Sequence, residues 1–257
     1  MGKAGEIRET VIKAFTGASI QDSYKELTRK GLWNSEELLF GKYFKKGSRI
    51  LDIGCGSGRT TFPLIKKGHE VTAIDITPDM IKSAEEMAEE FGIKADFRTG
   101  DAANLEFEDS SFDNAVFSFN GWNHIAGKEN RISALKEVFR VLKPEGYFIF
   151  TSHIRKLKDL ILDVWIKSSL SINILRPLGI KIREMEYGDV FFKKTASGLE
   201  HYKSENYMHI PKLSEIKEMI KKSGFKLVFN EYRDNIAPID EEQRTGNSMF
   251  FVCNKKV

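Results

Sequence analysis

The chain is expected to be an α/β protein, doubly wound, with a mostly parallel sheet and helices on both faces. Three observations predict this. Short apolar runs alternate with helix-period segments from residue 49 onward. That alternation means βαβ units, whose crossovers cover both faces of a sheet. A glycine-rich turn, Gly54-Cys55-Gly56-Ser57-Gly58, joins the first apolar run to the segment after it. Finally, 257 residues at 41% hydrophobic and 30% charged suit one large domain with room for an insertion.

Residues 1–44 read as a helical cap, with Tyr24, Leu27, Leu32, Trp33, Leu38, Leu39 and Phe40 as its apolar positions. Arg49-Ile50-Leu51-Asp52-Ile53 is a short buried strand, and residues 59–67 suit a helix. His69 to Asp75 is the second strand. Thr77-Pro78 then opens a helix, since Thr can cap and Pro is tolerated at the first helical position. Met80, Ile81, Ala84, Met87, Ala88 and Phe91 keep helical spacing, and Gly92 ends it. Ala95–Thr99 and Phe112–Phe119 are the next strands. A helix from Lys128 to Leu142 follows, then a turn at Pro144-Glu145-Gly146 and a strand from Tyr147 to Thr151.

The rhythm breaks between residues 154 and 210. This stretch starts helix-like (Leu157, Leu160, Ile161, Val164, Trp165) and ends rich in aromatics (Tyr187, Phe191, Phe192, Tyr207). It is expected to be an insertion or lid that binds substrate. Its portion from Leu160 to Ile180 is apolar enough to admit a transient lipid contact. A helix over Leu213–Ser223 and strands near Lys226–Tyr232 and Ser248–Asn254 close the sheet.

The first turn carries most of the functional signal. Alternating glycines let the backbone bend sharply and let a ligand lie against it, and free N–H groups at the following helix face that ligand. A dinucleotide fingerprint needs G-x-G-x-x-G. Here the third glycine comes one residue early and Arg59 holds the fingerprint's last position, which weakens a nicotinamide-dependent oxidoreductase. Asp52, just before the loop, suits a cationic amino group better than a pyrophosphate. Asp75, at the end of the second strand, can accept from both ribose hydroxyls. The ligand so described has an adenosine end and an amino acid end.

ILDIGCGSGRTT, AIDITPDMI, TGDAANL and LKEVFRVLKPEGYF, in that order, resemble the successive motifs of class I S-adenosylmethionine (SAM)-dependent methyltransferases over residues 45–152. The resemblance implies a seven-stranded sheet with a reversed last strand. It also implies SAM as cofactor, S-adenosylhomocysteine (SAH) as product, and a methyltransferase domain over 45–257. Asp52, through the loop, and Gly54 would border the methionine part. Gly56 and Gly58 would let the backbone approach. Asp75 would hold the ribose and Ile76 would pack on adenine. Asp101 would accept from the adenine amino group and Ala102 would offer its N–H. Phe117 and Ser118 would sit near the sulfonium.

Ligands of open α/β sheets bind beyond the carboxyl ends of the strands. There the fourth strand offers Asn120, Trp122, Asn123 and His124, and the fifth offers His153. His124 and His153 are the candidate bases, because imidazole titrates near neutrality. Asn120, Trp122 and Asn123 are candidates for holding the acceptor. The expected acceptor is a small molecule methylated at O or N. A SAM-binding sensor or scaffold without turnover is the alternative. A net charge of +3 and the lack of an N/D-P-P-Y/F motif argue against nucleic acid. Two cysteines in no metal or disulfide spacing suggest a reducing, cytoplasmic setting and no metal site. No uncharged apolar run approaches the roughly 18 residues of a membrane span, so stable insertion is not expected.

Overall fold

The computed structural model describes residues 2–155, 170–194, 201–238 and 248–256, with side chains 193–194 and 201–204 left out. The expected helix start at Leu157–Trp165 lies outside the described residues. Three helices lead: α1 (Lys3–Phe15), α2 (Ala18–Lys30) and α3 (Asn34–Tyr43). The alternating part runs β1 (Arg49–Ile53), α4 (Thr61–Lys66), β2 (Glu70–Asp75), α5 (Pro78–Phe91), β3 (Asp96–Thr99), β4 (Phe112–Phe117), α6 (Lys128–Val141) and β5 (Leu142–Ser152). After the insertion strands β6 (Asp189–Lys194) and β7 (His201–His209) come α7 (Leu213–Lys222), β8 (Lys226–Tyr232), the single-turn α8 (Arg233–Ile236) and β9 (Met249–Asn254).

Seven strands form one sheet in the order β3-β2-β1-β4-β5-β9-β8. The pairs from β3 to β5 are parallel, and β9 is antiparallel to both neighbours. The strand order reverses between β1 and β4, and the crevice there is where α/β sheets bind ligands. Side-chain alternation splits the core in two. Leu51, Ile53, Phe117, Phe148 and Phe150 face α6 and α7, while Ile50, Val116, Ile149 and Val252 face α3. Both cysteines are buried and unpaired.

Two local expectations change. Thr77 does stand at the N-cap of α5, but its hydroxyl makes no cap bond. The Asp75 carboxylate accepts the Thr77 N–H instead, at 2.9 Å. The turn expected at Pro144–Gly146 is absorbed into β5 as an irregularity. Glu145 adopts φ of 63°, its N–H donates to the Lys255 carbonyl at 2.8 Å, and the β4–β5 register shifts there. The inserted region contributes the antiparallel pair β6–β7 as a separate small sheet. Its β7 packs on α1, with Ile7, Val11, Ala126 and Tyr207 as a small core between them. Tyr207 therefore serves packing.

Candidate active site

The site begins with the turn after β1. Gly54, Gly56 and Gly58 all take left-handed φ, at 62°, 54° and 92°. A Cβ on Gly54 would stand 2.5 Å from the Phe117 ring, and one on Gly58 would stand 2.5 Å from Phe62. Glycine is thus required twice over, by backbone and by space. The carboxylate of Asp75 bridges this turn and the start of α5. One oxygen accepts Gly56 N–H at 3.0 Å and the other accepts Thr77 N–H at 2.9 Å. Burial raises the Asp75 pKa, and the two backbone donors pull it back.

Asp52 sits behind the turn rather than in the crevice. It is buried, accepts from the Thr61 hydroxyl at 2.7 Å, and is pushed up to about 7 by that burial. It can act on a ligand only by shaping the loop. Arg59 occupies the place of the missing glycine and explains that departure. Its guanidinium makes a two-pronged pair with buried Glu36, at 2.7 Å each, and also donates to the Gly31 carbonyl. It lies over the rings of Trp33 and Phe119. The pair ties the helical cap to the glycine turn.

Beyond β3, Asp101 folds back to accept Ala103 N–H at 2.9 Å, and its outer oxygen pairs with Arg8 of α1 at 3.2 Å. At the end of β4, the Phe117 ring fills the angle between Gly54 and Gly121. The Ser118 hydroxyl is buried without a partner. Phe119 and Asn120 then take left-handed φ of 55° and 62°, ending the strand two residues before the expected Phe119.

A cavity of about 240 Å³ connects these parts. Its floor is Gly54, Gly56 and Asp75, one side is Ile76, Asp101 and Ala102, and the far end is Phe117, Ser118 and His124. Arg8, Val11 and Phe15 of α1 and Tyr24 of α2 roof it. The donor set fits an adenosyl amino acid: backbone without Cβ against one end, a carboxylate for a sugar, and an unpartnered hydroxyl at the other end.

The acceptor-side candidates separate. His124 lines the cavity. Its Nδ1 lies 2.6 Å from the Tyr207 carbonyl. A carbonyl only accepts, so Nδ1 carries the proton and Nε2 is the ring's acceptor. Burial lowers its pKa to about 4. His153 is outside the cavity lining, with its pKa lowered by burial. Asn123 is fully buried and works as a strut: its amide donates to Ser152 Oγ and the His209 carbonyl and accepts His153 N–H. Asn120 donates to Ser248 Oγ at 2.9 Å, and Trp122 is fully buried against Phe150. None of these three lines the cavity, because the left-handed turn at 119–120 sends them into the core. Sequence reasoning missed Arg8, Val11 and Phe15. Helical spacing alone gives no hint of what these positions cover.

A methyltransferase domain family matches residues 50–146. The ubiquinone/menaquinone biosynthesis C-methyltransferase UbiE of Bartonella tribocorum is 30% identical over 188 residues, covering 70% of this chain and 65% of that enzyme. A Methanocaldococcus jannaschii protein, MJ1252, described as uncharacterized, is 31% identical over 80% of this chain and 73% of its own length. A crystal structure of a SAM-dependent methyltransferase from Methanosarcina mazei superposes with a TM-score of 0.68 at 26% identity, covering 88% of this chain and 99% of that one. The chain spans less than two thirds of the UbiE relative and 42% of another curated methyltransferase relative. The ordered motifs, the seven-stranded sheet with β9 reversed and these likenesses converge: the chain belongs to the class I SAM-dependent methyltransferases.

Proposed function

We propose that this protein transfers the methyl group of SAM to an O–H or N–H group of a small molecule. The observation that carries the reading is the single cavity running from Asp75 and Asp101 to Ser118 and His124. Bound SAM supplies an electrophilic methyl carbon activated by a neighbouring sulfonium. The chain's own contribution is positioning and exclusion of water. Asp75 accepts from ribose hydroxyls while its backbone bonds hold the carboxylate still. Asp101 accepts from the adenine amino group in this reading. Phe117 closes the angle at Gly54.

At the far end, neutral His124 can take the proton that an acceptor O–H or N–H loses. A base whose conjugate acid has a pKa of about 4 is weak. It suits an already acidic proton, such as that of a phenol or enol, over an aliphatic alcohol or an ammonium group. The slight net charge of +3 and the apolar roof support a small molecule over a nucleic acid. The related Bartonella enzyme is named for C-methylation in ubiquinone/menaquinone biosynthesis, which supports a small-molecule acceptor and makes carbon the rival to O or N.

The test is incubation with methyl-labelled SAM and a metabolite extract, followed by mass spectrometry of low-mass products. A labelled phenol ether, enol ether or N-methyl product is expected. Label on carbon alone would overturn the O or N assignment. SAH binding with no labelled product in any extract would favour a sensor without turnover.

A further inference from the structure

We infer that the segment 170–183 is a docking surface for an anionic lipid bilayer. Seven large apolar side chains are exposed among the described residues, and five of them, Leu170, Ile174, Leu178, Ile180 and Tyr187, fall within 18 consecutive positions. Leu178 is 70% exposed, and Leu170, Ile174 and Ile180 are 45–52% exposed. Such a concentration differs from the scattered single exposures ordinary for a surface. The backbone here is one wide helical turn over Ser171–Leu175, then Pro177-Leu178-Gly179, with Gly179 at φ of 76°.

Charge selects the occupant. From 170 to 183, which carries four of these five side chains, the sequence holds Arg176, Lys181 and Arg183 and no acidic residue; Glu184 and Glu186 follow, beside Tyr187. All three cations are exposed. Arg183 pairs with Glu205, and Arg176 donates to the carbonyls of Glu184 and Met185. Exposed apolar side chains interspersed with exposed cations match an interface in which acyl chains take the apolar groups and headgroup phosphates take the charges. A second protein surface would need a complementary acidic socket.

The segment is also tied to the site. Lys3 of α1 donates to the carbonyls of Ile182 and Glu184 at 2.7 and 2.9 Å. The next residues of α1, Ala4, Gly5 and Arg8, line the cavity. A bilayer that seats this segment therefore acts on a stretch bonded to the helix that roofs the crevice. This inference stands apart from the identity of the methyl acceptor.

The experiment is co-sedimentation of the full chain with vesicles of mixed phosphatidylglycerol and phosphatidylcholine, and with phosphatidylcholine alone. SAH calorimetry and circular dichroism run alongside to certify each variant's fold. Binding is expected on the anionic vesicles, weakened by salt. The I174E/L178E double variant should lose about tenfold in bound fraction, and K181E should lose less. No binding to anionic vesicles by the folded chain would overturn the inference, as would unchanged binding by I174E/L178E. So would a concentration-dependent dimer that the same substitutions dissolve while vesicles stay unbound.

Discussion

The two ends of the cavity are built by different means. At the Asp75 end, the carboxylate's contacts are local to adjacent strand ends: it accepts from Thr77, two residues away, and from Gly56, 19 residues away in the paired strand's turn. At the His124 end, the ring is set by the Tyr207 carbonyl, 83 residues on, and Tyr207 is held by Asp189 at 2.7 Å. Asp189 also accepts from His209 and from the N–H groups of Met185 and Glu186. One end is fixed chiefly by backbone geometry at strand ends. The other depends on a buried polar hub in the insertion.

Substitutions should separate the ends. Asp75→Ala removes the carboxylate proposed to hold the sugar and the bridge between turn and helix. Its SAH affinity should fall at least about 100-fold in calorimetry. A loss below threefold would mean that the ribose is held elsewhere. Glu36→Gln leaves Arg59 buried with half its partner, and chemical denaturation should show a loss of about 3 kcal/mol. A change under about 0.5 kcal/mol would show the cap and turn to be independent.

His124→Gln acts on the other end. Turnover should drop about 30-fold, with SAM affinity changed less than twofold. The pH dependence follows from its pKa of about 4 in the fold against the ordinary 6.5. The ring stays neutral above about pH 4, so activity should show no acidic limb near pH 6.5. The unfolded chain takes a proton below 6.5 that the folded ring refuses. Stability is thus lost as pH falls from 6.5 towards 4, by about 3 kcal/mol from this group. The Gln variant should lack that component in melts compared with the parent, in which other groups cancel. The smallest effect is expected for Arg8→Ala. Its pair with Asp101 is half exposed, so stability should move by under about 0.5 kcal/mol. SAH should dissociate faster by a few-fold in stopped flow, as α1 loses one of its tethers over the cavity.

Legibility in the sequence follows the same divide. The glycine turn, Asp75 and the strand order could be read because positive φ, strand ends and helix periods leave local marks. The departure at Arg59 was visible as a residue, but its reason, Glu36, is set by tertiary packing. The His124 end was only half legible. Asn120, Trp122 and Asn123 follow β4 as expected, yet two left-handed residues turn them into the core, and no local pattern announces left-handed φ at Phe119. The roof from α1 was illegible because an amphipathic helix shows that it buries a face without showing against what.

The most direct measurement is calorimetry of SAH with the parent chain and with Asp75→Ala. The account predicts one site of micromolar affinity in the parent and almost no heat in the variant, with both proteins folded. Absence of heat in the folded parent, or equal affinity in the two, would contradict it.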